Sequence, residues 1–453
     1  MSNKKLHLQL RLLKISVALF ALVLLGNTWI LWTPQTLFPQ IPLFGWVSQL
    51  PAGVDWFTFA SMVAAAVCLL GLSFIPIFLR IADRELRPLF QQICGGLFFS
   101  TFLLSIVFDQ HRIQPWAYQF ALGFLILTFL KPPRAIHVFR LLVISIYLYS
   151  ALSKCDASFV QTLGRQLAEG LFSAIGISTV FWSKQTLMWI AASFPVGEFL
   201  IGLGFFFRRT RRVALCAAVG MHLCLMLAIG PRGLNHYQGV LIWNVYFIIQ
   251  DLILFGLFSK GKPTGNVAVG NLDDQSLSLK IVSGFERAAL IIVWLALLAP
   301  LLEPTGYFDH WPAWGLYASH HDRVILLIDE EAKSKLPPSL QPFVDPPRPL
   351  HRWCRVRVER WSLAELGAPI YPQARFQLGV AIAVGKSLGQ ETENREKQPQ
   401  IKLLFEGAAQ RLTGERKISE YTGLTQIELL TSHFWLNAEP RPFDGAAKSN
   451  LFR

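Results

Sequence analysis

Lys154, Glu198 and His222 are the residues of this chain with the most chemistry to offer, because each interrupts or ends an apolar run of membrane-spanning character. Lys154 closes the run that begins near Val138, so its amine sits where a membrane helix meets its aqueous edge, with Asp156 two residues on. Burial favours the uncharged amine, so such a lysine can take up a proton, and a nearby carboxylate and imidazole can orient it or relay the proton onward. Asp156, Asn235, His236, Asn244 and Asp251 stand behind these three as secondary candidates. The same residues also have a plain structural account. Glu198 and His222 can be a hydrogen-bonded pair joining two helices, and Lys154 can snorkel to the interface.

The elements that must position these groups are membrane helices. The chain of 453 residues is 53% hydrophobic and 16% charged, with a mean hydropathy of +0.40, values that exclude an ordinary soluble protein of this length. Nine apolar runs follow one another at about residues 15–32, 57–79, 89–108, 116–130, 138–153, 187–207, 213–229, 238–258 and 288–302. The first is long, ends in Trp-Ile-Leu-Trp and lacks a small-x-small cleavage site, so an uncleaved anchor is expected. The runs at 116–130 and 138–153 fall short of the roughly 20 residues of a full crossing, which leaves a re-entrant pair open.

A net charge of +13 raises nucleic acid as a partner, but the basic residues cluster at the ends of apolar runs, the pattern of membrane orientation and contact with anionic lipid. Lys4, Lys5, Arg11 and Lys14, then Arg80, Arg84 and Arg87, then Lys131, Arg134 and Arg140, then Arg208, Arg209, Arg211 and Arg212, then Lys260, Lys262, Lys280 and Arg287 fall in alternate loops. The positive-inside rule makes that side cytoplasmic, and nine spans then put the C-terminal region outside. The six cysteines (Cys68, Cys94, Cys155, Cys216, Cys224 and Cys354) show neither CxxC nor Cys/His ligand spacing, so no zinc site or redox pair is expected. Cys155 adjoins Lys154, where a cation lowers a thiol's pKa, although packing is its expected role.

Between Lys154 and the next run, Val160, Leu163, Leu167, Leu171 and Ile175 recur at helical spacing while Gln161, Arg165 and Glu169 point elsewhere, the pattern of an amphipathic helix on the outer membrane surface. Asn235-His236-Tyr237 is expected to cap an outer helix start. Residues 260–279 read as a polar linker. After residue 303 the composition changes to Pro-rich connection between short β-like runs at 324–328, 353–360, 375–384 and 401–405, expected to form a mostly-β extracytoplasmic domain of about 140 residues.

The segment 147–164, with Tyr, small residues, Lys154, a hydrophobe, Asp156, Ala157 and then an aromatic residue and Val, resembles the surroundings of the catalytic lysine in the vitamin K-dependent gamma-carboxylases. The similarity continues through 194–230, where Glu198 and His222 fall on an acidic residue and a histidine at the family's separation, and upstream through 109–118. It departs at one place. Where the carboxylases carry an Asn-His pair, this chain has Gln114-Pro115-Trp116, and His111 is out of register, so that carry-over fails. The nearer grouping is with bacterial membrane proteins bearing the horizontally transferred transmembrane (HTTM) domain.

The resemblance implies a polytopic α-helical membrane protein, with residues 1–302 as a carboxylase-like helical domain and 303–453 as the β-rich domain. It implies a quinone-linked or carboxylase-like enzyme of a bacterial inner membrane, binding a reduced, vitamin K-like quinone. Lys154 would be the base, Glu198 and His222 would position or assist it, and Trp116 and Tyr147 would line the ring pocket. Membrane lipid and an extracytoplasmic protein or peptide substrate are the implied partners. The contrasting reading from the residues alone is a non-catalytic scaffold whose outer domain engages a partner.

Overall fold

The computed structural model describes residues 3–51, 53–74, 86–258, 284–389 and 399–443. The expected linker at 260–279, and Arg80, Arg84 and Lys280, lie outside the described residues. Twelve helices precede the C-terminal region: α1 (Asn3–Asn27), α2 (Trp29–Trp32), α3 (Gly53–Phe74), α4 (Leu86–Phe108), α5 (Pro115–Phe129), α6 (Pro132–Leu152), α7 (Ala157–Gln161), α8 (Leu163–Ala174), α9 (Lys184–Phe206), α10 (Arg211–Ile229), α11 (Gln238–Asp251) and α12 (Gly284–Leu298). Eight helices among the described residues are long and apolar enough to cross a membrane: α1, α3, α4, α6, α9, α10, α11 with its continuation to Gly256, and α12 with its continuation to Thr305.

The two short runs of the sequence part company here. The run at 138–153 belongs to a helix of 21 residues, because Pro132 and Pro133 start α6 with ring-fixed φ angles a turn and a half earlier than hydropathy suggests. Helix α5 stays at 15 residues, about 22 Å of rise and short of a hydrocarbon core of about 30 Å. Nearly every one of its side chains is buried, so its all-round apolarity answers to neighbouring helices. It lies antiparallel to α4: Trp116 packs on Trp32 near its start, and its last turn meets the first turns of α4, where a Cβ on Gly95 would collide with Thr128. Helix α1 runs through the middle of the bundle, burying Leu13, Val17, Ala21 and Leu24 along one stripe.

The basic helix ends that alternate in sequence are gathered at one end of the bundle. There Arg11 and Arg87 donate to carbonyls at the end of α3, Ser73 O at 2.8 Å and Leu72 O at 2.6 Å. Arg134 pairs with Glu286 at 2.5 Å, and Arg140 donates twice to Leu254 O. Unpaired carbonyls at helix C-termini attract cations, so these arginines also close the helices they touch.

At the opposite end the chain after α6 follows the expected amphipathic pattern but in two pieces. Asp156 caps α7 by accepting from Phe159 N at 2.7 Å, the backbone turns at Thr162 (φ −121°, ψ −94°), and α8 continues. Arg165 and Glu169 pair at 3.3 Å, both well exposed, a contact worth little. At the start of α11 the expected cap is not made. Tyr237 takes the N-cap position without a side-chain bond, Asn235 adopts φ +50°, and the Tyr237 hydroxyl donates instead to Asn27 O at 2.7 Å.

The C-terminal region corrects the mostly-β expectation. Strands β1 (Arg323–Asp329), β2 (Trp353–Arg355), β3 (Ile401–Glu406) and β4 (Ile418–Thr422) form one antiparallel sheet in the order β2-β1-β3-β4, with Ile328 opposite Ile401 and Leu326 opposite Leu403. One of the runs expected as strands is helical throughout, and another is β only in its first half, with Val356 bridging Val344 after the strand ends. The alternation from 353 holds only to Arg355, and helix α13 (Val358–Leu366) follows, burying Val358, Trp361, Ser362 and Leu366 at helical spacing. Residues 375–384 lie within α14 (Ala374–Ser387), and a last short helix is α15 (Leu424–Leu429). Almost every side chain of α14 is buried, so the run carries no period that would distinguish helix from strand.

The region after residue 303 is stitched to the helices through the loop between α4 and α5. Gln110 Nε2 donates to Pro42 O and Asn437 O, and Arg375 Nε donates to Gln110 Oε1 at 2.7 Å. His111 Nε2 lies 2.9 Å from Pro369 O. Burial pulls the His111 imidazole down to about 4, so at neutral pH it is uncharged and donates to that carbonyl. Arg112 pairs with Asp55, both wholly buried. The loop between α4 and α5 therefore serves as an anchor for the C-terminal region.

Candidate functional site

The end of α6 and three neighbouring helices build two polar networks in an otherwise apolar bundle. Lys154 follows the last turn of α6, which directs its side chain back over Ser150, one turn earlier. Its Nζ donates to Ser150 Oγ at 2.6 Å and to Glu198 Oε2 at 2.7 Å. The lysine and glutamate side chains are only 9% and 15% exposed, so the ion pair is largely shielded from water. Glu198 reaches it because α9 lies unusually close to α6. A Cβ on Gly202, one turn along α9, would stand 2.9 Å from Leu148 Cδ2 and 3.0 Å from Tyr147 Cβ. Gly202→Val is expected to lower stability by about 1–3 kcal/mol through overpacking, read as a lower melting temperature in detergent. An unchanged melt would show that the contact is loose.

The second network is centred on His222. Its Nδ1 lies 2.7 Å from Asn244 Oδ1, and its Nε2 lies 2.8 Å from the Tyr147 hydroxyl. The same hydroxyl lies 2.6 Å from Asp251 Oδ2. Asn244 donates its amide to Val240 O at 2.8 Å, which fixes its oxygen toward the histidine. His222 Nδ1 must then carry a proton. Two proton arrangements satisfy the rest of the chain: a protonated Asp251 donating to Tyr147, which donates to a neutral His222, or an ionised Asp251 accepting from Tyr147 beside an imidazolium. They hold the same number of protons and differ by two short transfers, so the row can carry a proton between His222 and Asp251 without moving a heavy atom. Phe247 stacks on the imidazole at 5.0 Å and 16°, holding the ring plane.

The residues singled out in sequence are thus brought together only in part. Lys154 and Glu198 are in direct contact. His222 touches neither; its hydrogen-bond partners are Tyr147 and Asn244. Tyr147, in α6 seven residues before Lys154, is a hydrogen-bonding node between His222 and Asp251. Trp116 is buried against Trp32 and Phe120 at the start of α5 and shares no hydrogen bond or ring contact with the lysine or histidine networks. Asp251 was only a secondary candidate in sequence, although its place at the end of α11 is the signal of an ionisable residue inside a span. Cys155 bonds Ala151 O at 3.3 Å, and partial burial followed by the Asp156 carboxylate pushes its thiol up against the opposing pull of Lys154, so it is not an activated thiolate.

A third cluster, unforeseen from sequence, lies beside the segment that follows Lys154, next to Asp156. Glu303 stands in the 3₁₀ turns that extend α12, and its Oε1 lies 2.6 Å from His310 Nδ1 and 2.8 Å from His320 Nε2. Asp156 Oδ2 faces the other ring nitrogen of His320 at 3.5 Å, and Arg411 lies 3.5 Å from Glu303 Oε2. Burial pulls His320 down, but the Asp156 and Glu303 carboxylates outweigh it and hold the imidazole up to about 9. The sequence signal was three histidines (His310, His320 and His321) close behind the last span. The chain around Lys154 is joined to this cluster twice more, by Ala157 N donating to Arg411 O and Ser158 Oγ to Ser319 O.

Set against family models, curated proteins and solved structures, the chain finds no match in any of the three.

Proposed function

We propose that this chain is an integral membrane enzyme of the vitamin K-dependent gamma-carboxylase superfamily, nearest to bacterial HTTM-domain proteins, with Lys154 as a general base toward a reduced, quinone-type lipid. The observation that carries the reading is the Lys154–Glu198 pair: a buried amine 2.7 Å from a carboxylate, just past the end of a helix long and apolar enough to span a membrane. Passing its proton to Glu198 leaves Lys154 as the free amine that can deprotonate a hydroquinone hydroxyl. The Tyr147–His222–Asp251 row lies two turns away on α6 as a second route for protons. In this reading the basic helix ends are cytoplasmic, in an inner membrane rich in anionic lipid. The outer region then presents a protein or peptide substrate to the lysine.

A second reading has its own observation. Every nitrogen of Lys154 and His222 already has a protein partner, as expected of polar side chains that join α6, α9, α10 and α11. In that case the chain is a non-catalytic scaffold whose outer region engages a partner. Organic extraction of the protein purified from its membranes, with mass identification of the extract, separates the two. The enzyme reading expects a quinone in stoichiometric amount with wild type and not in an extract of membranes lacking the protein carried through the same purification. The scaffold reading expects ordinary phospholipid alone.

A further inference from the structure

We infer that Glu303, His310 and His320 form a binding site for one divalent transition-metal ion of the zinc class, with Asp156 orienting His320. Two imidazole nitrogens and one carboxylate oxygen from three separate turns converge so that all three donor atoms lie within 4.8 Å of one another, and all three residues are buried. A neutral donor pair with one carboxylate is the set that zinc takes in sites with an open fourth position, and that iron(II) takes in its three-ligand face. Convergence of both histidines on the same oxygen is the geometry a shared ion would draw together, with Glu303 Oε1 2.6 Å from His310 Nδ1 and 2.8 Å from His320 Nε2. Donor atoms around a tetrahedral zinc lie about 3.3 Å apart. Occupancy therefore asks each ring to retreat by about half an ångström. His310 and His320 sit on turns outside the regular helices and strands, where such a shift does not break a helix or a ladder.

The surroundings argue in the same direction. Metal-bound histidines commonly offer their other ring nitrogen to a carboxylate. Here Asp156 Oδ2 faces His320 Nδ1 at 3.5 Å, and both atoms are buried without any other hydrogen-bond partner. Asp156 uses only its Oδ1 to cap α7, so its second oxygen is free for this role. The carboxylates of Glu303 and Asp156 together match the charge of a dication, and Arg411, 3.5 Å from Glu303 Oε2 and 3.4 Å from His320 Nε2, leaves one positive charge over. This inference does not rest on the enzyme reading of Lys154.

The test uses the full chain, purified in detergent on an affinity tag without histidines, stripped with EDTA, and dialysed against zinc. About one zinc per chain is expected to survive gel filtration, measured by elemental mass spectrometry. His320→Ala is expected to lower retention at least tenfold. Asp156→Asn, which keeps the helix cap, is expected to weaken zinc binding about 10- to 100-fold without removing the site. Cobalt(II) substitution of the wild type needs no variant: a visible absorption band of a four-coordinate nitrogen and oxygen site is expected. Wild type that retains no zinc and shows no cobalt band overturns the inference, as does equal zinc in wild type and in His320→Ala. Those results would leave the cluster as a hydrogen-bonded network alone.

Discussion

Lys154→Arg is expected to leave the protein folded and to slow consumption of a vitamin K-type hydroquinone by about 100- to 10,000-fold, the usual contribution of a positioned acid or base. The substitution is informative because of what it keeps. Arginine preserves the positive charge facing Glu198 and can still donate to Ser150, so the ion pair that joins α6 to α9 survives. It cannot give up its proton in a protein, so it cannot act as a base. Absorbance of the hydroquinone in detergent, alongside a thermal melt, separates the two properties. A variant that melts like wild type and turns over at the wild-type rate would remove Lys154 from the chemistry and favour the scaffold reading.

The second large effect is on stability. Lys154→Met is expected to cost about 3–5 kcal/mol, because Glu198 is left as a buried carboxylate without its counter-charge. Adding Glu198→Leu to the same chain should recover most of that loss, since a buried pair replaced by apolar side chains of similar volume is often neutral. The double-mutant cycle therefore isolates the pair, with a coupling of the same sign and similar size as the single loss. The 9% and 15% exposure of the two side chains is the basis for expecting a buried rather than a surface value. A coupling below about 0.5 kcal/mol would instead mean that water at the rim screens the pair, as it does for exposed ion pairs.

These expectations meet at one helix end. Glu198 holds the Lys154 amine, Tyr147 joins the same helix to His222 and Asp251, and Asp156 reaches from the following cap toward His320. Three networks with different chemistry are strung along ten residues of chain, each completed by a different neighbour. Gln110 and His111 hold the C-terminal region and Arg112 pairs with Asp55 of α3, while the lysine draws its partners from α6 and α9.

Hydropathy and charge determined the membrane helices and the alternation of basic ends, because a helix in lipid must satisfy its own backbone and must display apolar side chains outward. The same reasoning found Lys154, Glu198 and His222, each conspicuous as an ionisable residue in an apolar run. What the linear order could not supply was partnership. Glu198 belongs to Lys154 because Gly202 lets two helices approach. His222 belongs to Tyr147 because α10 and α11 turn its ring that way. Local pattern also failed where burial was complete. Residues 375–384 are enclosed on all sides within α14, so helix and strand leave the same apolar string, and only packing against the sheet and the bundle selects the helix. The Glu303, His310 and His320 cluster was decided wholly by tertiary structure, since its donors and the Asp156 behind them become neighbours only when the C-terminal region folds back onto the end of α6.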